Sequence, residues 1–263
     1  MVVQKSLLII FTVLIGLLCA TSISVANVLE DALVGAWLFD ENGGDTAADA
    51  SGNGHDGDIM GAKRVHGKSG RALDFDGEGN IVEIPHHADF DLTAYTISAW
   101  IQTNPNGKWQ TVLGKEPIAG RPRNYGVFIA GDTKLLGVNY TTGGDWKTAF
   151  SKTVAADGKW HHVAATYDGK VLRAYMDGVM EGETKTDIPP DHNTEPIRIG
   201  RWGAPRGDYM AGIIDEVAIF NQALAADEIR DITMNMRDAL AVEASGKLAI
   251  KWGALKRSIR ERN

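Results

Sequence analysis

Trp160-His161-His162-Val163-Ala164-Ala165-Thr166-Tyr167-Asp168-Gly169, followed by Tyr175-Met176-Asp177-Gly178, is the stretch on which the fold turns. In an extended chain successive side chains point to opposite faces, so Val163, Ala165 and Tyr167 share one side. Asp168-Gly169 then closes a turn, because glycine enters the positive-φ region that tight turns require. Val171 to Met176 returns as the partner strand, and Asp177-Gly178 repeats the turn signal. His161 and His162 are adjacent and therefore face opposite ways. They cannot chelate one ion together, and they read as scaffold.

The same pattern extends in both directions. Val34 to Phe39, Ala72 to Phe75, Ile81 to Ile84, Tyr95 to Ile101 and Thr111 to Leu113 precede the hairpin, as do Tyr125 to Ile129 and Leu135 to Tyr140. Ile197 to Ile199 and Ile213 to Phe220 follow it. Most are short, rich in Val, Ile, Tyr and Trp, and bounded by turn residues, which is the signature of strands. Some ten such segments predict an all-β, two-sheet antiparallel sandwich. One helix is expected: Leu224 to Ile232 puts Leu224, Ile229 and Ile232 near one face, with acids in its first turn.

Composition agrees with a packed domain, since 44% of the 263 residues are hydrophobic and 23% are charged. The net charge of -7 argues against nucleic acid as a partner, because phosphate binding needs a basic patch. At the amino end, Lys5 and the apolar run Leu7 to Cys19 read as a signal peptide, and Ser24-Val25-Ala26 supplies a cleavage site after Ala26. Thr21, Ser22 and Ser24 interrupt that run before it reaches membrane-spanning length. Leu18 stands where a lipoprotein signal wants a small residue. The expectation is a protein secreted or held in the cell envelope, with no membrane insertion after cleavage. Cleavage removes Cys19, the one cysteine, so the mature chain lacks disulfides. Residues 237–263 are expected to form a strand pair, Ala239 to Ala244 and Leu248 to Trp252, followed by a basic tail.

Four segments in order carry a resemblance. Besides the hairpin, they are Gly35 to Glu41 with Asp49-Ala50-Ser51-Gly52-Asn53-Gly54, then Ala72 to Gly77, then Gly212 to Leu224. Together they resemble laminin-G-like jelly-roll domains of the concanavalin A-like lectin/glucanase superfamily, over residues 28–236. The resemblance implies a jelly-roll sandwich that serves as a binding module.

Asp49 to His55 is the stretch with the most obvious chemistry. Oxygen-bearing side chains fall at its positions 1, 3 and 5, Gly54 permits a sharp turn, and the His55 carbonyl sits at position 7. That is the first half of an EF-hand-like loop, but Met60 stands where the bidentate glutamate belongs. The expectation is a structural Ca²⁺ held by Asp49, Asn53 and His55. The family resemblance supplies Asp215 as a further carboxylate, and Glu41 is a weaker candidate. The alternative is an Asx-rich turn without metal.

Glycosidases on related sandwiches carry Glu-x-Asp-x-x-Glu along one strand, which places acids on one face. Here Asp215 and Glu216 are adjacent, and no nucleophile motif appears in the chain. The chain is therefore expected to bind rather than to catalyse. Trp146 and Trp202 are the expected exposed rings, with Arg123, Asn124 and Asn139 as polar partners. Rings cover the apolar faces of sugars while amides and guanidinium groups satisfy hydroxyls, so a glycan is the first expectation. A cell-surface protein is the alternative, since Trp and Arg also anchor protein interfaces. A polysaccharide-degrading enzyme on the same fold is the remote third. The sequence does not indicate an oligomeric state. Asn139-Tyr140-Thr141 also fits an N-glycosylation acceptor in a eukaryotic host.

Overall fold

The computed structural model describes residues 29, 31–117, 121–203, 208–234 and 236. The signal peptide, residues 1–26, and the expected strand pair and basic tail, residues 237–263, lie outside the described residues. Two compact units divide the chain: residues 1–32 with 235–263, and Leu33–Met234. Of the first, residues 29, 31, 32 and 236 are described and helical.

Among its described residues the second unit holds two eight-stranded antiparallel sheets. The first runs β14 (Val179–Lys185), β13 (Val171–Met176), β12 (Trp160–Tyr167), β7 (Tyr95–Thr103), β16 (Ala211–Phe220), β5 (Arg71–Asp76), β4 (Lys63–His66), and β1 (Leu33–Trp37) also pairs with β16. The second runs β11 (Asp145–Val154), β10 (Leu135–Thr142), β9 (Tyr125–Ile129), β8 (Gln110–Lys115), β15 (Ile197–Ile199), β6 (Ile81–Ile84), β3 (Gly57–Met60), β2 (Thr46–Ala47). Half of the neighbouring pairs are not consecutive in sequence, among them β7 with β12 and β16, β1 with β16, and β15 with β6 and β8, so the chain crosses repeatedly between layers, as a jelly roll does.

Period-two burial sets the register. Val163, Ala165 and Tyr167 of β12 lie opposite Ala99, Ile97 and Tyr95 of β7, and all six belong to the common core. The largest polar rings are buried there too. Tyr95, Tyr140 and Tyr167 pack with centroids 5.9 and 5.0 Å apart. The hydroxyls of Tyr140 and Tyr167 both donate to the Ile188 carbonyl, at 2.9 and 3.1 Å, so burial leaves no phenol unsatisfied in this pair. Between β13 and β14, Asp177 and Gly178 both have positive φ, 48° and 79°, as a two-residue type I′ hairpin demands.

Five strands escaped the apolar pattern: β2, β3, β4, β11 and β14. The strands β11 and β14 are sheet edges whose side chains are largely exposed, so neither shows the run of apolar residues that betrays an interior strand. The expected helix spans 226–234 (α1) and buries Ile229 and Ile232. Its Glu228 carboxylate accepts from the Ala225 N–H at 2.6 Å, a side-chain cap of the first turn. His162 receives α1: its Nδ1 pairs with Thr233 Oγ1 and its Nε2 with Ser98 Oγ, each at 2.8 Å. Burial pushes the His162 imidazole down to about 4, so it sits there neutral. His161 faces the other way and meets Asp157 and Asp177.

Candidate ligand groove

The second sheet has a face turned away from the core. Along β9, Tyr125, Val127 and Ile129 enter the core, which leaves Gly126 and Phe128 on the other side. On β10 the outward residues are Gly137 and Asn139. Glycines pave this face: Gly114 lies opposite Gly126, and Gly137 opposite Phe128. A Cβ on Gly114 or Gly126 would fall 2.5 or 2.7 Å from the Trp202 ring, and one on Gly137 would fall 2.2 Å from Phe128 Cζ. Aromatic rings therefore lie flat on bare backbone, where no other residue leaves room.

A groove of about 410 Å³ opens above that floor, lined by Trp109, Arg123, Phe128, Asn139, Trp146, Phe150 and Trp202 among others. Trp109 stacks on Phe128 at 5.0 Å, and Phe150 and Trp202 meet Phe128 edge-on at 6.0 and 5.8 Å. Arg123 stands between two indoles, 3.6 Å from the Trp202 ring and 4.5 Å from the Trp146 ring. Its fork is fully directed: Nε donates to Glu116 Oε2 at 2.7 Å, Nη2 lies 2.5 Å from the same oxygen, and Nη1 donates to Asn139 Oδ1 at 2.8 Å. Glu116 in turn accepts the Gly203 N–H at 3.2 Å and so ties down the loop bearing Trp202.

Four of the five expected ligand residues thus converge: Arg123, Asn139, Trp146 and Trp202. The roles differ from expectation in one respect. Trp146 is 39% exposed but Trp202 only 4%, because the glycine floor lets its ring sink against the sheet. Asn124 is not brought in. It lies in the bend before β9, is fully buried, and turns away from the groove to donate to the Leu92 carbonyl at 3.2 Å. Asn139 is buried and bonded to Arg123, so its place in Asn-Tyr-Thr offers no accessible glycosylation amide. Phe128, Phe150 and Glu116 were missed. Phe128 carried a signal, the alternation of glycine and aromatic at Gly126 and Phe128 on β9, which resembles ordinary strand sequence until the sheet order is known; Phe150 on an edge strand and Glu116 beyond β8 carried none.

The expected calcium loop has its own hydrogen bonding. Asp49 Oδ1 accepts the Ala36 and Ser51 N–H groups at 3.0 and 2.9 Å, and Oδ2 accepts Ser51 Oγ and the His55 N–H at 2.8 and 3.0 Å. A carboxylate offers about four lone-pair sites, so Asp49 keeps none for a cation. Asn53 turns its Nδ2 to the Leu33 and Val34 carbonyls, and the His55 carbonyl accepts Trp37 Nε1. Asp215 meets a different segment, accepting the Ser69 N–H at 3.1 Å. Glu41 is ion-paired to Arg64 at 2.6 Å. In this arrangement the donors do not fit a calcium shell.

A family profile described as the concanavalin A-like lectin/glucanases superfamily matches residues 76–230. The chain belongs to that superfamily. No curated protein matches it. Among solved structures, the binding domain of Paraclostridial Mosquitocidal Protein 1 is similar over 78% of this chain and 52% of that one, at 17% identity and a TM-score of 0.65. Domain 4 of AbnA, a GH43 extracellular arabinanase from Geobacillus stearothermophilus solved with arabinotriose, is similar over 77% of this chain and 98% of that one, at 20% identity and 0.62. Trypanosoma rangeli sialidase is similar over 76% of this chain and 32% of that one, at 20% identity and 0.57. This chain spans about half the length of the first of these and a third of the sialidase. The superfamily fold thus serves binding domains and parts of glycosidases alike, and at these identities the likeness is one of fold.

Proposed function

We propose that this superfamily member is an exported, non-catalytic module that binds carbohydrate in the groove on the second sheet. The observation that carries the reading is the set of exposed rings, Trp109, Trp146 and Phe150, standing over a rigid polar floor of Arg123, Glu116 and Asn139. Rings held by a glycine-paved sheet present flat apolar surface without loss of side-chain freedom on binding, which favours affinity. The polar groups hold the rings in place, with Arg123 fixed by Glu116 and Asn139 between the Trp146 and Trp202 indoles. The arabinotriose bound to the similar arabinanase domain supports a sugar over other ligands. Of the two carboxylates that line the groove, Glu116 and Asp208, Glu116 is committed to Arg123 and to the Gly203 N–H, a poor arrangement for a general acid, which supports binding over hydrolysis.

A polysaccharide array read with the wild type and with Trp146→Ala tests this. Binding to at least one glycan is expected, weakened about tenfold or more in the variant, the loss typical of a central aromatic anchor. Absence of any glycan binding would move the assignment to protein adhesion, and measured glycan cleavage would make the chain an enzyme.

Calcium has no part in this proposal, given the saturated Asp49 carboxylate. Calorimetry of chelator-treated protein is expected to show no rise in melting temperature on adding Ca²⁺. A rise would mean that the Asp49 loop exchanges its own hydrogen bonds for the ion.

A further inference from the structure

His55, His87 and Asp89 form a cluster outside the groove. Each offers one ligand atom, and the three atoms lie within 4.8 Å of one another. Asp89 Oδ2 is 3.2 Å from His55 Nε2 and 3.1 Å from His87 Nδ1. The His55 and His87 ring centroids are 4.8 Å apart. The geometry points to a site for a borderline divalent ion of the Zn²⁺ class, held by His55 Nε2, His87 Nδ1 and an Asp89 oxygen.

The distances carry the argument. An ion bonded tetrahedrally at about 2.0–2.1 Å separates its ligand atoms by about 3.3 Å. Two of the three edges already have nearly that length, and a small rotation of the exposed His87 ring closes the third. The tautomers also agree. His87 Nδ1 accepts the Asp89 N–H at 3.3 Å, so it is the unprotonated nitrogen of its ring, and its one lone pair passes to the ion when that long hydrogen bond is given up. His55 is buried and fixed: its ring packs on Phe90 at 4.7 Å, and its backbone N–H is held by Asp49. The Asp49 to His55 loop thus serves as a brace that aims one imidazole at a His-x-Asp turn. Local order on the other side comes from the 3₁₀ turn Ala88–Phe90, which His87 caps. His87 and Asp89 are exposed, so the remaining coordination position faces water. Two imidazoles with one carboxylate suit Zn²⁺, Ni²⁺ or Cu²⁺, whereas Ca²⁺ takes six to eight oxygens.

The test is calorimetric titration of the chelator-treated full chain with ZnCl₂ and, separately, CaCl₂. A single class of Zn²⁺ site and no heat with Ca²⁺ are expected. His87→Ala and Asp89→Asn alter exposed side chains, so neither endangers the core. Each should weaken Zn²⁺ at least about tenfold, since even a partner one step removed from the metal is worth ten- to a hundredfold. Circular dichroism of both variants should match the wild type. Absence of Zn²⁺ heat would overturn the site, and so would Zn²⁺ affinity unchanged in both variants, which would locate the ion on other histidines. Glycan binding in the groove is independent of either result.

Discussion

Arg123→Ala is expected to cost about 3–5 kcal/mol of folding stability, the range for removing one partner of a buried ion pair. The Glu116 side chain is 2% exposed, and without the guanidinium its charge stays buried while the Trp202 and Trp146 rings lose the planar group between them. Arg123→Lys should recover only part of the loss, because an ammonium cannot reproduce the fork to Glu116 and Asn139 or the stacking. The double replacement Arg123→Met with Glu116→Leu should fold nearly as well as the wild type, since it removes the charge that would be stranded. It should nevertheless bind glycan poorly, which separates the structural role of the pair from its place in the groove. Urea unfolding of the three variants checks this. A loss below about 1 kcal/mol in Arg123→Ala would show that Glu116 reaches water or another partner, and the description of the groove floor would have to change.

The second large effect concerns Asp215 and Glu216, both buried on β16. Burial pushes Asp215 up to about 6, and burial together with the neighbouring Asp215 charge pushes Glu216 up to about 7. Lys68 and Ser69 face Glu216 and oppose the shift without cancelling it. Above their unfolded values the native chain therefore binds more protons than the unfolded one, and linkage makes stability fall as pH rises from about 4 to about 7. His162 works in the opposite sense: neutral in the fold down to about 4, it adds stability as pH climbs towards its ordinary value of 6.5. A comparison with amide variants removes that contribution. Asp215→Asn with Glu216→Gln, which mimic the protonated acids, should match the wild type near pH 4. At pH 8 they should exceed it by about 2 kcal/mol or more. Equal stabilities of variant and wild type across pH 4 to 8 would mean that the acids are ionised in the fold at no cost.

Much of the sandwich was legible in the chain. Interior strands such as β7, β12 and β16 bury one or both faces, and burial demands apolar side chains at fixed spacing, which a sequence displays directly. The turn at Asp177-Gly178 was legible for a local reason, the positive φ that few residues accept. Edge strands were not, since exposed residues of β11 and β14 answer to solubility and carry no periodic demand. In the groove, aromatic and arginine residues in loops drew attention to Trp146, Trp202 and Arg123. Asn124 was wrongly grouped with Arg123: β9 was read at its observed bounds, Tyr125–Ile129, but both residues precede it, and outside a strand no periodic rule says which way a side chain faces.

Local chemistry, then, is what the chain determined unaided: which segments extend, where they turn, and that one layer must face another. Which strands become neighbours was decided only by the folded whole. Segments far apart in sequence lay the Trp202 ring on Gly114 and Gly126 and tie the Gly203 N–H to Glu116, and no short-range rule records those meetings. The groove and the His55–His87–Asp89 cluster both arise from such long-range meetings. Their residues are ordinary in sequence and acquire chemistry through proximity alone.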